Sequence, residues 1–134
     1  MNGIIIDSGL FIAEERGKYD LHAFFQAHHG AAFAVSAITI SEMWHGVERV
    51  EPSLKIVKAA KVSKLLEQVA VFDFTEEIAH THAQLWATLE KAGERIGAHD
   101  MIIAATCLHH GYSLATLNGK EFKRIRGLTL LRIN

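Results

Sequence analysis

An α/β sandwich around a mostly parallel sheet is the fold this sequence predicts, on three observations. Short apolar runs rich in β-formers alternate along the chain with segments of helical periodicity. The first run, Ile4-Ile5-Ile6, is apolar without alternation, as a strand covered on both faces must be. No internal repeat and no low-complexity linker interrupts the pattern, so residues 1–134 are read as one domain.

The elements follow in order. The first strand ends on Asp7, and Asp7 or Ser8 can start a short helix Gly9-Leu10-Phe11-Ile12-Ala13. Asp20 caps a helix from Leu21 to His29 that gathers Leu21, Phe24, Phe25 and His28 on one face, and Gly30 stops it. Phe33 to Ser36 is a second strand. Thr39 or Ser41 then starts a helix running toward Val50, which puts Glu42 in its first turn. Pro52 precedes a helix from Leu54 to Val69, expected to bury Ile56, Val57, Leu65, Leu66 and Val69. Its lysines, Lys55, Lys58, Lys61 and Lys64, drift around the surface at spacings of three and read as a solvated face before an RNA contact.

Val69 to Phe74 is a third strand. Thr75 caps a helix with an apolar stripe of Ile78, Leu85, Trp86 and Leu89, ended by Gly93. Ile96-Gly97-Ala98-His99-Asp100 leads into Met101 to Leu108, a segment apolar almost all round and therefore a central helix. Ser113 to Thr116 is a fourth strand, Glu121-Phe122 a short turn or helix, and Leu128 to Leu131 a final strand.

Composition sets the bounds. With 49% hydrophobic and 22% charged residues the chain is an ordinary globular protein. No apolar run approaches the roughly 18 residues of a membrane span, and the start lacks a basic, apolar leader, so a cytoplasmic protein is expected. Cys107 is the only cysteine and reads as a small buried hydrophobe. A net charge of −1 exerts no global pull on nucleic acid. Locally, Lys120, Lys123, Arg124, Arg126 and Arg132 face only Glu121, a patch that could hold phosphates or remain a solvated tail.

The acids share one structural logic. Asp7 ends a strand, Glu42 opens a helix after a strand, Asp100 opens the most apolar helix, and Glu121 follows the fourth strand. In a parallel sheet such positions meet at the carboxyl edge of the strands, although long stretches of chain separate them. Each acid alone could serve only as a cap or as a charge favoured at a helix start. Together they repel unless a counter-ion joins them, and a hard cation such as Mg²⁺ or Mn²⁺ suits an oxygen donor set. Metal held this way supports phosphodiester hydrolysis. The nine histidines lack the spacing of a zinc site, and Asp7-Ser8-Gly9 lacks the second acid a phosphatase nucleophile would need.

These stretches resemble a PIN domain of the VapC toxin type. Ile5-Ile6-Asp7-Ser8 is similar to the family's opening motif, and Val35 to Met43 with Gly46-Val47 to its second. Ile96 to Ala105 is similar to the third motif, and Thr116 to Phe122 with Gly127-Leu128 to the fourth. The resemblance implies a three-layer α/β/α sandwich with about five strands. It implies that Asp7, Glu42 and Asp100 bind the metal, with Glu121 as a fourth acid beside Asn118, where many relatives carry an acid. Ser8 and Thr116 match small hydroxyl positions at the site's edge, and His99 stands where relatives often have Asn.

The implied activity is Mg²⁺- or Mn²⁺-dependent endoribonuclease cleavage, with water attacking an RNA phosphodiester. The implied partners are a second copy, forming a homodimer, and an antitoxin whose tail enters the active-site groove in a toxin–antitoxin hetero-oligomer. Apolar surface on the helices between residues 39 and 69 would meet that antitoxin, while Trp44 is read first as core. The alternative is a PIN-like module that binds RNA or protein without cutting; Asn118 favours it and the retained acids oppose it.

Overall fold

A computed structural model describes residues 2–131 and 133, so Arg132 of the basic segment lies outside the described residues. The elements run β1 (Gly3–Ile6), α1 (Ser8–Glu15), α2 (Leu21–Ala27), β2 (Ala32–Ser36), α3 (Ala37–Glu48) and α4 (Lys55–Leu66). They continue with β3 (Ala70–Phe72), α5 (Glu76–Lys91), α6 (Ala98–His110), β4 (Ser113–Ala115), α7 (Gly119–Phe122) and β5 (Leu130–Leu131). The strands form one five-stranded sheet in the order β3-β2-β1-β4-β5. Every pairing is parallel, as the alternation of elements requires.

The apolar run at β1 explains the layering. Ile4 and Ile6 project into a core with Leu10, Phe11, Leu21, Phe24, Met43, Val47 and Val62 from α1 to α4. Ile5 projects the other way, with Ala34 and Leu114, onto Leu85, Leu89, Ile103, Cys107 and Phe122 from α5 to α7. Ile5 pairs in register with Ala34 on one side and Leu114 on the other, so all three share a face. The result is the expected α/β/α sandwich. Ile5 and Ile6 are fully buried, each contributing about 1.5–3 kcal/mol of burial free energy.

Topology positions the site. From β1 the chain steps to β2 and β3 with α1 to α4 on one face, then returns past β1 to β4 and β5 with α5 to α7 on the other. Changing face while reversing direction keeps the crossovers of one hand. The reversal leaves a crevice between the carboxyl ends of β1 and β4, the place where open α/β sheets bind ligands.

Several local expectations are corrected. α3 begins at Ala37, capped by the Ser36 hydroxyl accepting from Ile38 N–H at 3.4 Å, and not at Thr39 or Ser41. Glu42 therefore lies in the second turn. A 3-10 turn, Pro52–Leu54, precedes α4. Ile56 and Val57 are 84% and 57% exposed, whereas Val62 is fully buried beside partly buried Ala59, Leu65, Leu66 and Val69. At ~100° per residue Ile56 and Val57 fall well over a quarter-turn from Val62, and only one face of this outer helix meets the core. Trp86 is likewise exposed, although Ile78, Leu85 and Leu89 on the same helix are buried. The third strand is shorter than expected, leaving Phe74 outside it and half exposed. Cys107 is buried as expected, and burial pushes its thiol up to about 12. Among the described residues, no helix is long and apolar enough to cross a membrane.

Candidate active site

Asp7 is the first residue past β1, and its N–H donates to Ala115 O at 3.0 Å, so its backbone extends the ladder to β4. Its side chain consequently stands in the crevice between the two strands. Asp7 Oδ1 accepts from Ser8 N–H at 2.8 Å, and Oδ2 accepts from the Thr116 hydroxyl at 2.7 Å. Thr116 in turn accepts the Asn118 N–H at 3.1 Å. Burial raises the Asp7 carboxyl above its ordinary value, and the two hydrogen bonds hold part of that shift back by favouring the charged form.

Asp100 is the third residue of α6, where the helix N-terminus favours negative charge. Its carboxyl is nevertheless pushed up to about 6, first by burial and then by the charges of Asp7, Glu121 and Glu42, while His99 pulls it down. Three like charges thus act on Asp100. Glu121 on α7 accepts Gly97 N–H at 3.5 Å, which ties the fourth acid to the residue that caps α6. Glu42 Oε2 faces His99 Nδ1 at 3.4 Å. Its other oxygen, Oε1, is buried and, among the described residues, has no hydrogen-bond partner.

The sheet thus brings Asp7, Glu42, Asp100 and Glu121 to one edge, with Ser8 and Thr116 buried beside Asp7. Asn118 enters through its backbone, its side chain giving α7 no cap. The bland reading of Asp7 as a helix cap is also present in the structure, since one carboxylate oxygen caps α1 while the other serves Thr116. Sequence reasoning flagged His99 only as the neighbour of Asp100. Its pairing with Glu42 is a contact between elements that no local pattern announces.

The donor set fits a hard divalent cation. It offers carboxylate oxygens without thiolate, carries a repulsion that positive charge would relieve, and leaves a buried oxygen unsatisfied. Among the described residues no three His, Cys, Asp or Glu groups close around a single ion position. A cation that keeps several waters needs only one or two direct carboxylates.

A groove of about 770 Å³ opens beside the acids between α1, α3 and α4, and Ser8, Glu42 and His99 line it. Arg16, Arg49, Lys58 and Lys61 supply its positive charge, and Ile12, Met43, Leu54 and Val57 its apolar surface. Lys58 pairs with Glu15 at 2.9 Å and so ties α4 to α1. Lys61 and Lys64 are exposed, as a solvated face requires, whereas Lys58 is partly buried in its pair with Glu15. Of the C-terminal basic residues, Arg124 donates to Arg95 O at 2.6 Å and lies 3.5 Å from Glu94.

Comparison with known proteins gives concordant results. The PIN domain family model matches residues 4–128. Ribonuclease VapC1 of Rickettsia felis is 40% identical over 133 residues, covering 98% of this chain and 97% of its own. Ribonuclease VapC of Rickettsia bellii is 32% identical over 132 residues, covering 98% and 96%. Among solved structures, VapBC2 from Rickettsia felis bound to a DNA fragment from its promoter has a chain that superposes with a TM-score of 0.90. That chain is 24% identical, with 98% of this chain and 99% of the other covered.

Proposed function

Because the chain belongs to the PIN domain family and to its VapC ribonucleases, we propose that it is a metal-dependent endoribonuclease toxin that hydrolyses RNA phosphodiester bonds and is neutralised by an antitoxin. The observation that carries this reading is the placement of Asp7, Glu121 and Glu42 within electrostatic reach of Asp100, whose carboxyl is pushed up to about 6 first by burial and then by their charges. Four acids in one crevice are unfavourable without a cation and productive with one.

In this reading Asp7, Glu42 and Asp100 would hold Mg²⁺ or Mn²⁺, with Glu121 completing the acidic set. The ion, when bound, supplies an acidified water as nucleophile and positive charge against the phosphoryl oxygens. Thr116 fixes one Asp7 oxygen, Ser8 N–H fixes the other, and the Asn118 N–H fixes Thr116, so the carboxylate is oriented before substrate arrives. Ser8 stands where the groove meets the acids, and Arg16, Arg49, Lys58 and Lys61 steady RNA phosphates along it. The same groove, with exposed Leu54 and Val57 at its wall and Ile56 on the same helix, suits an antitoxin segment that is apolar on one side and acidic on the other. Residues 1–134 act as one domain, paired in a homodimer and in a toxin–antitoxin hetero-oligomer.

The test is cleavage of total cellular RNA by purified protein in Mg²⁺, Mn²⁺ or EDTA, beside Asp100→Asn. Discrete fragments from wild type with metal, and none from the variant, are expected. Equal behaviour of two folded preparations would overturn the catalytic reading and leave a module that binds RNA or protein without cutting.

A further inference from the structure

Glu42 reaches the acidic crevice on a side chain with three rotatable bonds, and its two oxygens are in unlike surroundings. Oε1 is buried without a partner among the described residues, whereas Oε2 meets the His99 ring at 3.4 Å. His99 comes from the first turn of α6, one residue before Asp100, while Glu42 comes from α3. The contact therefore joins the two helices that bring these acids to the site. We propose that His99 is a positioning residue, whose Nδ1–H donates to Glu42 Oε2 and so keeps Oε1 free to receive a divalent cation or its water.

An ionised carboxylate only accepts hydrogen bonds, so the ring nitrogen facing it must carry the hydrogen. Both the Nδ1–H tautomer and the imidazolium supply that hydrogen, and the same ring lines the groove. The His99 side chain is 56% exposed, so removing it opens no cavity in the core. Its part in the site is thus directional and not one of packing. Removing a group that orients a metal ligand typically costs about 10–100-fold in metal affinity.

The inference rests on the metal reading above, and the experiment separates the two. Mn²⁺ alone is titrated calorimetrically into the full chain as wild type, Asp100→Asn, His99→Ala, His99→Asn and His99→Gln, with melting temperatures checking that each is folded. His99→Ala is expected to weaken Mn²⁺ about 10-fold. Asn carries its amide nitrogen one bond beyond Cγ, as His carries Nδ1, so His99→Asn restores the affinity. Gln places its nitrogen one bond farther and does not. Wild-type affinity in His99→Ala, beside lost binding in Asp100→Asn, would overturn the role of His99 alone, as would equal rescue by Gln and Asn. Absence of Mn²⁺ binding by wild type would overturn the metal reading and this inference together.

Discussion

Burial first, and then the charges of Asp7, Glu121 and Glu42, push the Asp100 carboxyl from 3.8 up to about 6. Between those values the folded protein retains a proton that the unfolded chain has released, so stability falls as pH rises through the window and the loss is complete above about 6. In EDTA, Asp100→Asn should match wild type near pH 4 and melt at a higher temperature above pH 6. Parallel melting curves across this range would contradict the assignment, and Mg²⁺ at pH 7.5 should stabilise wild type only. Thr116 makes a second prediction at this scale. Thr116→Val leaves buried Asp7 Oδ2 without its donor, expected to cost about 1–3 kcal/mol in urea melts and to slow RNA cleavage. Asn118→Ala keeps the backbone N–H and should stay within about 0.5 kcal/mol of wild type. If it loses as much as Thr116→Val, its side chain has a part in the site.

At the scale of elements, α4 shows where sequence patterning stops. The sequence marks Ile56, Val57, Leu65, Leu66 and Val69 as core and passes over Val62, because an apolar count cannot tell a helix that is covered on two sides from one that touches the sheet layer along a single line. The structure selects the face around Val62. Val62→Ala should cost about 2 kcal/mol, against about 0.5 or less for Ile56→Ser and Val57→Ser. Urea melts decide the first comparison. The two exposed positions should instead weaken antitoxin binding, measured calorimetrically, and unchanged affinity would remove them from that surface. The start of α3 was misplaced for a related reason. Ser36 ends β2 and caps the helix at once, with no loop to mark the junction, so Thr39 and Ser41 looked like the available caps.

For the whole molecule, the fold was legible because burial on both faces leaves an unmistakable run at Ile4-Ile5-Ile6 and an apolar helix at Met101 to Leu108. The convergence of Asp7 and Asp100 was legible because strand ends and helix starts of a parallel sheet share an edge, wherever they lie in the chain, whereas Glu42 reaches that edge from the second turn of α3 and not from the helix start the sequence suggests. What was not legible depends on packing between layers: the groove among α1, α3 and α4, and the pairing of His99 with a glutamate 57 residues away. Asp100, buried beside Asp7, Glu121 and Glu42, is the acid whose charge a cation would relieve most. The most direct measurement is a carbon NMR titration of the Asp100 carboxyl in EDTA and in saturating Mg²⁺. A midpoint near 6 without metal, falling below about 4 with it, is the result predicted. A midpoint at the ordinary 3.8 in both solutions would contradict the account, because Asp100 would then be neither buried beside like charges nor joined by a cation.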